Sequence, residues 1–226
     1  MPAGFPTNAF LPRLQWDAKA GILLKVDRPQ LPDGSRGKQR AEIALKDFVA
    51  LADPDSVRKG WVHLAPGVYE DHLVGWTQKV PPRPSGQDGK GKPLWQPYVL
   101  FHVKLAPALG GDVRQFASTA IVVINSLDAL IDGWLAAPAA NDPGQCPVIQ
   151  ITGRAAISSA NGTNYAPVWR TAGWRLRPED MPIGGADEEY DQEGGNAAED
   201  AADPWGAAAP PPEEQDSSSD NDDLPF

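Results

Sequence analysis

The charges of this chain are segregated, and the segregation limits where a fold can form. All 20 Lys and Arg residues lie at or before Arg177, where they meet 14 acids; the 48 residues from Glu179 onward carry 16 acids and no Lys, Arg or His. The stretch up to Pro178 therefore carries +6 and the remainder −16, although the whole chain is only −10. Residues 179–226 consist largely of Gly, Ala, Pro, Ser and acids, with almost no β-branched or large aliphatic side chains. Such a segment buries too little apolar surface to offset its ordering entropy. It is expected to be a disordered acidic tail, with residues 1–178 as one folded, basic domain.

Several classes fall away. No apolar stretch approaches the roughly 20 residues a bilayer span needs, so no membrane partner is expected. Residues 1–10 show no positive region followed by an apolar run, so no secretory signal is read there. The single cysteine, Cys146, excludes an intramolecular disulfide and a multi-cysteine zinc site. A lone thiol suits a reducing compartment, and a cytoplasmic location is expected.

The domain reads mainly as strands. Residues 21–28 alternate, with Ile22, Leu24 and Val26 on one face. Residues 39–48 set Ala41, Ile43 and Leu45 against Arg40, Glu42 and Lys46. Residues 98–105 set Val99, Phe101, Val103 and Leu105 inward and Tyr98, His102 and Lys104 outward. Shorter strands are expected at 60–64 and 112–118. One helix is expected at 126–137, with Asn125 as N-cap and Leu127, Leu130, Ile131 and Trp134 on one face. Strands 147–158 and 164–176 follow, joined through Asn161-Gly162, a strong hairpin signal. Several strands, one helix and a closing hairpin match a small β-barrel of the oligonucleotide-binding type, here with extra strands and long loops. The longest loop, 81–97, carries Arg83, Lys90, Lys92 and Trp95.

Enzymatic constellations are missing from the pattern. Gly86 to Lys92 fits G-x-x-x-x-G-K, but Pro93 follows where a phosphate-binding loop needs Ser or Thr. His63, His72 and His102 stand at no metal-ligand spacing. Asp53-Pro54-Asp55 reads as a turn cap before it reads as a metal-dependent nuclease site. Cys146 has no recognisable base and reads as a small buried residue. No catalytic residue, metal site or cofactor is expected, and the chain is not read as an enzyme.

Binding is better supported. Seven of the eight tryptophans fall in the domain. Trp134, on the helix, is expected in the core. Trp169 and Trp174 lie five apart in one strand, so regular alternation places them on opposite faces unless Gly173 introduces a bulge. Arg170, Arg175 and Arg177 surround them. Rings interleaved with arginines stack unpaired bases while guanidinium groups hold phosphates; each stack is worth about 1–3 kcal/mol and tolerates any sequence. The expected DNA-binding set is Arg40, Lys46, Lys90, Lys92, Trp95, Tyr98, His102, Lys104, Arg154, Trp169, Arg170, Trp174 and Arg175. The −16 tail mimics nucleic acid and, being tethered, competes for the same groove.

The chain ends Asp222-Asp223-Leu224-Pro225-Phe226: acids, two apolar side chains around a proline, and a terminal carboxylate. This tip resembles the Asp-Asp-Asp-Ile-Pro-Phe terminus of bacterial single-stranded DNA-binding proteins, with Leu224 in place of isoleucine; bacteriophage counterparts also carry acidic tails ending in phenylalanine. The resemblance covers the tip and its linker only. It implies that Asp222, Asp223, Leu224, Pro225 and Phe226 recruit replication, recombination and repair enzymes. It further implies a protein that coats single-stranded DNA in a bacterial or phage-infected cell. The alternative expectation is a β-rich replisome interaction or strand-annealing factor without coating function. The sequence leaves homo-oligomerisation open.

Overall fold

A computed structural model describes residues 11–181 apart from 33, 35, 36, 66, 67, 143 and 161. Ten strands and one long helix follow in order: β1 (Arg13–Asp17), β2 (Ile22–Asp27), β3 (Gln39–Ile43), β4 (Val49–Ala52), β5 (Arg58–Ala65), β6 (Val68–Gly75), β7 (Trp95–Leu105), β8 (Val113–Ser118), α1 (Ile121–Leu135), β9 (Gln145–Ser159) and β10 (Gly162–Leu176). Among the described residues no helix is long and apolar enough to cross a membrane. From residue 182 on, the acidic tail, with its tip Asp222 to Phe226, lies outside the described residues.

The strands form one mixed sheet in the order β10-β9-β4-β7-β8-β1-β2-β3, antiparallel except for a short parallel pairing of β1 with β8. β7 organises it. Its first half pairs with β5 and its second half with β4 along one edge, while β8 takes the other edge, so the sheet forks and β5–β6 forms a side branch. The sheet is not closed into the expected barrel. Its β10 end touches β1 and the turn after it only locally: the Tyr165 amide of β10 donates to Ala18 O (2.7 Å), and Trp16 Nε1 donates to Tyr165 O (2.8 Å).

The central position of β7 overturns the expected outward register of Tyr98 and His102. A strand with neighbours on both edges and packing on both faces reads as a continuous apolar run. Val99, Phe101 and Val103 enter the main core, whereas Tyr98 and Leu100 join Val62 in a second, smaller one. Tyr98 is 5% exposed and His102 7%. Ser56 Oγ accepts from the His102 amide, and the next bond in the chain runs from Asp53 N to His102 O. Ala41, expected inward, is exposed, because β3 is an edge strand covered on neither face along most of its length.

Helix α1 begins at Ile121 rather than near Asn125. Ile121-Val122-Val123-Ile124 reads locally as strand, because β-branched side chains lose rotamer freedom in a helix. Burial overrides that preference. Val123, Leu127, Ile131 and Trp134 fall on one stripe and are nearly inaccessible. Trp134 meets Phe101 edge to face, with centroids 6.1 Å apart.

Polar clasps tie strand ends together. Arg114, 2% exposed, reaches Asp27 Oδ1 and Asp112 Oδ2 at 2.7 Å each. Asp53 caps the short turn after β4 by accepting from Asp55 N, and Arg177 Nη2 lies 2.8 Å from both Asp53 Oδ1 and Asp55 Oδ2. The two carboxylates are therefore engaged by a guanidinium, and among the described residues no group of three or more His, Cys, Asp or Glu could hold a metal. Contacts continue past Pro178: Asp180 pairs with Lys104, and Met181 is buried with its sulfur 3.8 Å from Cys146 Sγ. Burial pushes the Cys146 thiol up to about 11, so it stays protonated and unreactive at neutral pH.

Candidate nucleic-acid interface

The hairpin β9–β10 carries two register shifts, between Val168 and Trp169 and between Thr171 and Gly173. Gly173 adopts φ +132°, a conformation L side chains rarely take, and so accommodates the second bulge. The extra residue resets the alternation. Trp169, Thr171 and Trp174 consequently face the same way, towards α1.

A groove of about 380 Å³ lies between the two elements. Its helix wall is Ser126, Ala129, Leu130 and Gly133; its strand wall is Trp169, Arg170, Thr171 and Trp174, with Trp134 beneath. Trp169 Nε1 donates to Ser126 Oγ (3.1 Å), and that hydroxyl donates to Val123 O (2.7 Å). Phe116 and Phe48 meet the Trp169 ring at steep angles, with centroids 5.5 Å and 6.4 Å away. Trp134 Nε1 donates to Thr171 Oγ1 (2.9 Å). Trp169 and Trp134 are thus fixed members of the wall. Trp174 is half-buried against the core, and among the described residues no comparable hydrogen bond locks its indole.

The arginines of β10 contrast with those clasped by carboxylates, although Arg83 and Arg154 also rest on backbone carbonyls. Arg170 Nη2 donates to Gln150 Oε1 (2.8 Å) and Arg175 Nη1 to Trp174 O (3.1 Å), so both exposed guanidinium groups rest on neutral partners and keep their charge uncompensated. Arg114, Arg177 and Lys104 are instead committed to carboxylates. The helix acids Asp128 and Asp132 stand away from the groove: Asp132 Oδ1 accepts from Trp76 Nε1, whose ring carries Lys59 Nζ at 4.5 Å. Partial burial and then the charge of Asp132 raise the Asp128 pKa, against the pull of Lys59.

Other expected residues are scattered. Arg40 sits on β3, at the far edge of the sheet from β10, and Lys46 on the short turn after it; both are exposed. The Arg154 guanidinium lies 4.9 Å over the Tyr165 ring and donates to Ala20 O. Lys104 is half-buried on Asp180. Trp95, expected as a stacking ring, is 7% exposed and flanked by His72 (4.7 Å) and His63 (5.8 Å). Burial removes Trp95, Tyr98 and His102 from any solvent-facing platform, and it raises the Tyr98 pKa.

Loop 81–97 is folded rather than free. Arg83 Nε donates to Trp95 O (2.8 Å) while its guanidinium covers Trp61 at 5.1 Å. Trp61 Nε1 donates to Pro81 O (2.9 Å). At the tip, Asp88 Oδ1 accepts from the amides of Lys90 (2.8 Å) and Lys92 (2.9 Å), and these bonds lower its pKa. A carboxylate therefore occupies the position a bound phosphate would take in the G-x-x-x-x-G-K reading. The side chains of Lys90 (exposed) and Lys92 (half-buried) remain at this tip.

Of the thirteen expected residues, the groove gathers Trp169, Arg170 and Trp174, with Arg175 adjoining. Sequence reasoning missed the facing wall. Ala129 and Gly133, small residues one helical turn apart, mark that wall only once α1 is known to pack on β10. No protein-family model, curated protein or solved structure matches the chain.

Proposed function

We propose that the chain binds and coats single-stranded DNA without strong sequence preference, through the groove between α1 and β10. One observation carries this reading. Trp169 and Trp174, which plain alternation separates, line one groove together with the exposed Arg170, which donates to the neutral Gln150, and Arg175 follows Trp174 on the same strand. Trp174 supplies the stacking ring, Trp169 the fixed wall, and Arg170 and Arg175 the phosphate contacts. The open sheet with its single helix is read as a variant of the oligonucleotide-binding barrel. The function needs no cofactor and no catalytic residue.

The acidic segment competes for the same cations. Arg175 pairs with Cys146 across the ladder, and Met181 packs on Cys146, so the last described residue lies against the end of the β9–β10 ladder. Occupancy by DNA then displaces the segment and presents Asp222, Asp223, Leu224, Pro225 and Phe226 to replication, recombination and repair enzymes.

Titration with oligo-dT, read by tryptophan fluorescence at two salt concentrations, tests the reading. Phosphate contacts release counterions, so affinity falls steeply between 50 and 300 mM salt. Nearly flat affinity contradicts it. Saturable, stoichiometric coverage of poly-dT separates coating from a replisome interaction or annealing role.

A further inference from the structure

We infer that the groove is an insertion pocket for an unpaired base rather than a flat stacking platform, and that Gly133 is the residue that keeps it open. The inference rests on the single-strand reading above and adds what the site excludes.

Gly133 lies in the last turns of α1 and faces the groove. Its backbone is ordinary helix, without the positive φ that would call for glycine. A glycine there is less stable than alanine and closes no turn or cap. A Cβ built on it meets no atom within 4 Å, so the space in front of it is empty rather than crowded. Ala129, one turn earlier, continues the shallow floor. The opposite wall is the Trp174 indole, with Trp134 buried below. A groove of about 380 Å³ with two indoles and an arginine in its walls fits a flat ring attached to an anion. The ring enters between helix and indole; the phosphates stay outside, at Arg170 and Arg175.

Two consequences follow from the chemistry. A base held in a duplex has to be unstacked and unpaired before it enters, so the pocket selects single strands. The nearby hydroxyls offer little: Ser126 Oγ takes the Trp169 N–H and gives its own proton to Val123 O, and Thr171 Oγ1, which takes the Trp134 N–H, leaves a single O–H to donate. The walls therefore read the shape of a ring more than its hydrogen-bonding edge, and the four bases enter with similar affinity.

The test uses the full chain and three probes: a dT 20-mer, an abasic deoxyribose-phosphate 20-mer and a blunt duplex of the same length. Fluorescence anisotropy measures binding and a thermal melt checks the fold. The wild-type protein is expected to bind dT at least tenfold more tightly than either other probe. Gly133→Leu fills the slot and brings dT affinity down to the abasic level, with abasic affinity unchanged and the melt unchanged or higher. Ala129→Leu narrows the slot from one turn away and gives the same pattern if the first variant folds poorly. A Gly133→Leu protein that binds dT like wild type, while Trp174→Ala weakens it, overturns insertion and leaves the single-strand reading standing. Equal weakening of dT and abasic binding also overturns insertion. A gain in dT affinity overturns it too, by showing that the slot holds a segment of the chain itself. Failure of the wild-type protein to bind dT at all removes the single-strand reading instead.

Discussion

Two regions of this protein carry the same kinds of side chain and have different fates. Around loop 81–97, Trp61, Trp95, His63, His72 and Arg83 lie together; at the end of the chain's fold, Trp134, Trp169, Trp174, Arg170 and Arg175 do. In the first, cation and ring satisfy each other: Arg83 covers Trp61 and bonds Trp95 O, and the two histidines close on Trp95. In the second, a groove of about 380 Å³ opens between the hydrogen-bonded helix and strand, and Arg170 and Arg175 rest on Gln150 and a backbone carbonyl rather than on a ring. Aromatic and basic composition alone does not make a stacking site. Empty volume beside a ring and uncompensated charge beside that volume do.

Substitutions that treat the two regions alike break or sharpen this contrast. The largest effect is expected at Trp95. Truncating a buried indole to alanine costs about 3–5 kcal/mol of stability, visible in a urea melt, whereas the protein that remains folded binds oligo-dT as before. Trp174→Ala is the counterpart. It costs about 1–3 kcal/mol of DNA binding and moves the melt little; unchanged affinity and unchanged quenching would take Trp174 out of the site.

Deleting residues 182–226 is expected to tighten binding at 50 mM salt by about tenfold, because a tethered polyanion competes at high effective concentration, and to abolish recruitment of partner enzymes. Weaker binding after the deletion sinks the competition idea. Next in size, Arg170→Gln and Arg175→Gln should each lower the slope of log affinity against log salt by about 1, while Arg83→Gln leaves the slope alone. An equal change at Arg83 would place loop 81–97 in the interface.

The smallest effect concerns pH. Backbone N–H donors from Lys92 and Lys90 lower the Asp88 pKa from the ordinary 3.8. The turn they hold is fully supported above the ordinary value and loses that support as pH falls through the lowered one. Relative to the intrinsic exchange rate at each pH, the amides of Lys90 and Lys92 should be protected at neutral pH and lose that protection only in acid. Protection that is the same at both ends of the range contradicts the assignment.

Much of the architecture could be read from the chain. Period-two patterning marks β2, β7, β9 and β10, and Asn161-Gly162 marks the hairpin, because local alternation and turn chemistry act over a few residues. β1, β4 and β6 escape notice: β1 and β4 are short, β6 lacks a clean apolar alternation, and only β4 depends wholly on pairing to distant strands. Which strand is central is also a long-range fact, so Tyr98 and His102 look solvent-facing in sequence and are buried in the fold. At the site, the strand wall was visible in the spacing of Trp169, Gly173 and Trp174. The helix wall was not, since nothing local says which face of α1 meets β10.

The account stands or falls on where an unpaired base rests. Irradiating the full chain with 5-iodouracil-substituted oligo-dT and mapping the adduct by mass spectrometry locates that contact directly. The account predicts a crosslink at Trp174, competed away by unlabelled dT and lost in 300 mM salt. Adducts confined to Trp61, or to the 81–97 loop, would contradict it.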